Sequence, residues 1–267
     1  DELTPPRSPP PSASGSSQSA RGASPPPIAA VDANRGVAWW SEGWQVFMAA
    51  PGIWIAIILV FVLIMLGLAF VPILGSIAGS VLPPVFGGGI ALGCHALAKG
   101  RPLTLGHLFE GFSGARFMPL VIVGLIYLGA MFVLWIAVAA VVLGVAGGAG
   151  LFSALSSDAS QMGMALLSSI GIVALVMAPL AMVAVAAVTM AYWFAPPLIV
   201  LNGEEPIAAM KKSFRACWVN VGATLVYGLI WIGLAIVASI PFGLGWIVLA
   251  PVMAGSWYAS WRETFDA

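Results

Sequence analysis

The sequence predicts an all-α fold: a polytopic membrane helix bundle with six transmembrane helices. Three observations predict it. Hydrophobic residues make up 61% of the chain and charged residues only 7%, whereas soluble domains carry about 25% charged residues. The apolar residues fall into long runs free of Asp, Glu, Lys and Arg, from Gly43 to Ala98, Phe117 to Ser157 and Ala216 to Trp261. Finally, the basic residues gather between alternate apolar runs, as they do in membrane proteins whose cytoplasmic connectors are positive.

The chain opens with a Pro/Ser-rich stretch, residues 1–30, that has little to bury and is expected to be a disordered cytoplasmic tail. It reads as a solvated linker, or as a ligand for a proline-reading domain. Residues 31–267 form the expected six-helix transmembrane domain.

Crossing ~30 Å of hydrocarbon takes ~20 residues at ~1.5 Å rise, so the first run holds two spans, near 52–72 and 76–98. They turn at Pro72-Ile-Leu-Gly75, and Pro83-Pro84 with Gly87-Gly88-Gly89 predicts a kink or close helix approach in the second. A third span, near 118–142, is expected to end or fray in the glycine-rich segment from Gly144 to Gly150, before Asp158. The fourth, near 165–200, carries Pro179 and Pro196-Pro197 as kinks or ends. Spans five (219–239) and six (243–260) turn at Pro241-Phe-Gly-Leu-Gly245.

With six spans every Lys and Arg falls on one side. Arg7, Arg21 and Arg35 precede span one; Lys99, Arg101 and Arg116 lie between two and three; Lys211, Lys212 and Arg215 lie between four and five; Arg262 follows six. The opposite connectors hold one acid, Asp158, and no base. Both termini are therefore expected in the cytoplasm.

Three short segments resemble one another: Trp40-Ser-Glu-Gly-Trp44, Leu108-Phe109-Glu110-Gly111-Phe112 and Lys212-Ser-Phe214-Arg215-Ala-Cys-Trp218. Each feeds a span, and each following even-numbered span contains proline. The expectation is a pseudo-threefold repeat of an interfacial helix plus two spans. Trp40, Trp44, Phe109, Phe112, Phe214 and Trp218 are the expected aromatic anchors at the membrane interface. Lys99, Arg101, Arg116, Lys211, Lys212 and Arg215 are the expected cytoplasmic surface for lipid or a partner. The partners implied are the lipid bilayer, anionic phospholipids at its cytoplasmic face, and another membrane protein. A net charge of zero gives no field for nucleic acid.

Chemistry is poorly represented. Cys94, His95, His107 and Glu110 are metal-ligating residue types, yet their spacing matches no closed zinc pattern, and interfacial histidines with ordinary hydrogen bonds are the preferred reading. The spans carry no Asp, Glu, Lys or Arg, which argues against a proton pump. No histidine in the spans is predicted near Ser168, Ser169 or Thr189 to activate a nucleophile. No cofactor and no catalysis is expected. Cys94 and Cys217 read as unpaired small hydrophobes. Gly89-xxx-Gly93 and Gly144-xxx-Gly148 match a packing motif, assigned to contacts within the bundle. Glu204-Glu205-Pro206 should start a well-capped helix ending in Lys211, Lys212 and Arg215.

The segments GVAWWSEGWQVF, PPVFGGGIALGCHALAKGRPLTLGHLFEGF, EPIAAMKKSFRACWVN and PVMAGSWYASWRETF together resemble a family of uncharacterised proteobacterial inner-membrane proteins, a domain of unknown function. The pattern is similar in outline to the six-helix membrane domain of some glycerophosphodiester phosphodiesterases. The resemblance spans about residues 31–267 and implies six spans in the bacterial inner membrane. It supplies no catalytic residues, because the soluble hydrolase domain is absent. The function expected is a non-enzymatic accessory, scaffold or assembly factor for membrane components. The alternative is a carrier or channel for lipid or a small neutral solute, with Tyr127, Tyr192, Tyr227 and Trp193 lining the path.

Overall fold

The computed structural model describes residues 28–155 and 159–266. The tail up to residue 27 and Asp158 lie outside the described residues. Among those described, every regular element is helical: α1 (Arg35–Ala49), α2 (Pro51–Ala69), α3 (Leu74–Val81), α4 (Pro83–Ala98), a 3₁₀ segment (Leu105–Phe112), α5 (Phe117–Leu155), α6 (Ala159–Trp193), α7 (Ala195–Asn202), α8 (Pro206–Val219), α9 (Val221–Ser239) and α10 (Trp246–Phe265).

Five helical stretches are long and apolar enough to cross a membrane: Pro51–Ala69, Gly75–Ala98, Gly114–Val145, Leu175–Asn202 and Val221–Ser239. Their outer faces expose residues such as Leu63, Phe132, Trp135, Leu175 and Leu229. So much exposed apolar surface is stable only against lipid. The protein is a multi-pass membrane helix bundle. The sixth expected span, α10, has 20 residues, but its second half carries Ser256, Ser260, Arg262, Glu263 and Thr264 and it is less apolar than the other five.

Proline places the breaks. Pro83 starts α4 and leaves Leu82 as the joint with α3, so the second span is kinked as its prolines predict. Pro196-Pro197 occupies the first turn of α7 and ends α6 at Trp193, so the long fourth stretch is two helices rather than one. The segment Gly144–Gly150, expected to end the third span, stays helical, and α5 continues to Leu155. The second interfacial element is a 3₁₀ segment rather than an α-helix. It holds Gly106 and Gly111, both poor helix formers, and a Cβ on Gly111 would collide with the Val85 carbonyl.

The three short elements arrange the bundle cyclically. The 3₁₀ segment packs on α4, α8 packs on α6, and α1 packs on α10. Each lies against the inner helix of the preceding unit, and the last unit closes onto the first. A small residue sits at each contact. Gly43 of α1 lies against Val252 and Ser256, just after Pro251, and Gly111 lies against Val85, just after Pro84. Ser213 of α8 takes the equivalent place beside the break at Phe194. Its hydroxyl donates to the Met190 carbonyl (2.6 Å) and accepts from the Phe194 N–H (2.8 Å). One hydroxyl thus replaces the backbone bond that a continuous helix would make between these two groups.

The N-terminal approach closes the ring from outside. Asn220, buried between α8 and α9, accepts from the Val31 N–H (2.8 Å) and donates to the Ala29 carbonyl (3.0 Å), while the Ala29 N–H reaches Thr264 (3.0 Å). Ile28 and Val31 also pack against the core.

Ser213→Ala should lower stability by about 1–3 kcal/mol, since it leaves a buried N–H and carbonyl unanswered. SDS-titration unfolding in detergent measures this. Gly129→Ala, where a Cβ meets no atom within 4 Å, should leave the unfolding curve unchanged. Equal curves for all three proteins would remove the bridging role of Ser213.

Candidate functional site

Two regions stand out, a charged end and an apolar cavity. At the charged end, α1 and α10 are joined by a network. Arg35, Trp39 and Glu42 follow one another at near-helical spacing on α1 and face Arg262 and Glu263 of α10. Glu263 accepts from Arg35 Nε (2.6 Å) and from Trp39 Nε1 (2.6 Å); Glu42 accepts from Arg35 (2.8 Å) and Arg262 (3.1 Å). The bond from Glu263 raises the Arg35 pKa above its ordinary value, against the cost of partial burial. His95, in the last turn of α4, meets the Tyr258 hydroxyl at 3.0 Å, and Lys212 lies over the Phe265 ring at 5.4 Å. These links bring the ends of α4, α8 and α10 together, and with them the basic connectors.

The expected cationic residues divide into two kinds. Lys212 bonds Glu204 and is mostly covered, so it fastens the start of α8 and is not a surface group. Lys99, Arg101, Arg116, Lys211 and Arg215 are exposed and form no ion pair among the described residues. Lys211 and Arg215, four residues apart, share one face of α8.

The aromatic residues also divide. Trp44 (49% exposed), Phe109, Phe112, Phe214 and Trp218 (66% exposed) show apolar rings beside the charged end, where rings favour the headgroup layer. Trp40 does not. It is buried, stacks on Tyr227 at 4.7 Å, and donates its indole N–H to the Tyr227 carbonyl at 3.3 Å. Tyr227 in turn bonds Ser256 at 2.9 Å, so Trp40 ties α1 to α9 and α10. An indole suits a core with a spare carbonyl as well as it suits an interface, and residue type alone does not separate the two.

The four metal-ligating residue types fall apart into separate structural roles. Cys94 is buried with Sγ 3.8 Å from the Ala254 carbonyl, and His95 faces Tyr258. His107 Nδ1 accepts from the Thr104 N–H at 3.0 Å in a capping box, while its Nε2 lies 3.7 Å from Glu110. Among the described residues no three His, Cys, Asp or Glu side chains gather as a metal site. Gly89 and Gly93 do serve packing within the bundle, since Cβ atoms there would strike His107, Leu108 and Leu103. Gly144 and Gly148 face no atom within 4 Å.

Beside α8 lies an apolar groove of about 640 Å³, lined by Ile126, Ala191, Ile207, Met210 and Phe214, with Lys211 as its one charged group among the described residues. Deeper, and larger, a cavity of about 710 Å³ lies between α2, α4, the α6–α7 break and α10. Tyr192 and Trp193 line it, as the carrier reading expects. Tyr127 instead packs against Tyr192 at 4.8 Å without lining the cavity, and Tyr227 belongs to the core. The cavity depends on contacts absent between distant helices, and no local sequence pattern announces it.

A probable inner membrane protein of Burkholderia thailandensis is 29% identical to this chain over 232 residues, which cover 86% of this chain and 82% of the relative. That span extends well beyond any single helix and agrees with a shared membrane architecture. No family model matches the chain, no solved structure matches it, and no likeness to a phosphodiesterase membrane domain is found.

Cys217, on α8 four residues after Ser213, has Sγ 3.7 Å from the Met190 carbonyl, and burial pushes its thiol up to about 12 from an ordinary 9.0. The thiolate is the reactive form, so a soluble maleimide at pH 8 should leave Cys217 unmodified in the folded protein and label it after denaturation. Because the unfolded thiol ionises first, its contribution to stability is complete below about 9 and lost as pH rises toward about 12. Alkylation of the folded protein at pH 8, read by mass spectrometry, would show that α8 leaves α6.

Proposed function

We propose that this is a bacterial inner-membrane protein that acts without catalysis, as an accessory or organising component holding anionic phospholipid at its charged face. One observation carries the reading: exposed cations that form no ion pair among the described residues stand beside exposed aromatic rings, and at Lys211 the pair borders an apolar groove. Such a groove takes a tail while the ammonium meets a phosphate, an arrangement worth about 1 kcal/mol per cation near an anionic surface. The name of the Burkholderia relative supports the inner-membrane placement, and the ion-free spans support a role without proton or charge transfer.

The proposal includes six crossings, with α10 as the sixth, and both termini in the cytoplasm. The side-specific clustering of Lys and Arg supports it. Single cysteines at Arg101→Cys and Lys211→Cys, in a background lacking Cys94 and Cys217, should react with an impermeant maleimide from the same face of inverted vesicles. Labelling from opposite faces would overturn the topology.

In nanodiscs, Lys211→Gln with Arg215→Gln should reduce retention of phosphatidylglycerol over phosphatidylcholine by several-fold, about 1–2 kcal/mol for two charges. Native mass spectrometry reads this directly. Unchanged retention would remove the lipid-holding face. A reproducible stoichiometric partner in mild-detergent purification would support the accessory role.

A second reading, a carrier for lipid or a small neutral solute, is favoured by the cavity beside Tyr192 and Trp193.

A further inference from the structure

The cavity has a floor, a wall and a side opening. The Trp257 indole N–H donates to the Trp193 carbonyl at 2.8 Å, and both rings line the cavity, separating it from the charged end. Gly243 and Trp246, at the turn between α9 and α10, line its far end. Leu59 and Val62 of α2 line it too, yet both are exposed on the outside of the bundle. The opening therefore faces sideways from a membrane-spanning helix, into hydrocarbon rather than water.

Among the described residues, no Asp, Glu, Lys, Arg or His lines the cavity. Sites for polar ligands carry a few convergent polar groups that orient them, and a polar solute here would lose its hydrogen bonds without replacement. The molecules available at this depth are lipid tails, and about 710 Å³ falls within the ~300–1,000 Å³ typical of ligand sites. We propose that the cavity is a lateral-entry site for one acyl chain of a bilayer glycerophospholipid, drawn from the leaflet opposite the charged face. This inference rests on the second reading of the protein and gives it a ligand. It does not depend on binding at Lys211 and Arg215.

Gly87 offers a clean test. A Cβ there would sit 3.8 Å from Pro196 and from Trp257, an ordinary contact, so a side chain can start at the cavity floor with its Cβ clear of backbone. The full chain is placed in nanodiscs of phosphatidylcholine bearing a diazirine midway along one acyl chain, irradiated, and its adducts mapped by mass spectrometry. Adducts are expected on Phe86 and Ala254, which line the cavity and are buried from the outer surface. Gly87→Leu should abolish them while leaving adducts on the exposed Trp135 and Leu229. Should that variant fail to fold, Ala250→Leu fills the cavity from α10 and must give the same loss. Wild-type protein without adducts on Phe86 and Ala254, or a folded variant that retains them, overturns the proposal. A zwitterionic probe makes the outcome independent of the anionic-lipid reading.

Discussion

In hydrocarbon no water answers a backbone N–H or carbonyl that a broken helix releases, so each break must be met by protein. This constraint organises the bundle. Proline interrupts two of the three inner helices and lies within the third, α10, and each time the short element of the next unit comes to lie there with a small residue at the contact. At Phe194 the repair is explicit, because Ser213 completes the bond between Phe194 and Met190 through its own oxygen. At Val85 and Val252 the approach is made by Gly111 and Gly43, where a side chain would strike backbone. The repeat is therefore a packing device as well as a sequence pattern. A short segment rests closely on its neighbour where the neighbour carries proline and the contacting residue is small.

The charged groups follow from the same constraint. Arg35, Glu42, Arg262 and Glu263 neutralise one another at the end of the bundle, where α1 and α10 each bring one acid and one base. These side chains remain partly exposed, so each pair contributes little on its own. Their value is geometric: with Trp39 they fix the angle of α1 against α10. Glu204 does the same for α8 through Lys212. The cations left over, Lys99, Arg101, Arg116, Lys211 and Arg215, are exposed and form no ion pair among the described residues.

Much of the architecture was legible in the residues. Charge-free runs located the spans, Pro83 and Pro196 located the breaks, and repeated stretches pairing aromatic with charged residues located the three short elements. These signals work because each reflects local chemistry: a transfer free energy, a missing donor, a repeated motif. What failed did so for non-local reasons. Trp40 and Trp44 are the same residue type four positions apart, but only Tyr227 on a distant helix decides that Trp40 turns inward. Lys211 and Lys212 are neighbours, and only Glu204 decides which of them is consumed. Gly144 to Gly150 reads as a helix end by propensity, yet without water to compete for its backbone groups the helix continues, because propensity measured in water is a weak guide in lipid.

The break at Phe194 also accounts for the cavity. In the first unit the helix before the break, α3, stays packed on α4 and α5, and α4, which begins with its prolines, is 16 residues long. In the second, α7 runs only eight residues before Gly203 turns it with a positive φ. The long helix before it, α6, packs on α5, α7 and α8 and makes no extensive contact with α2, α4 or α10 among the described residues. Beyond the break the inner faces of those three helices therefore lose the neighbour that a perfect threefold arrangement would supply. Trp193 and Trp257 close the lower edge of the gap by one hydrogen bond, and above them the surface is apolar and opens past Leu59 and Val62. The departure from symmetry, rather than the symmetry itself, creates the space, and Ser213 holds the departing helix to the bundle at the point where it leaves.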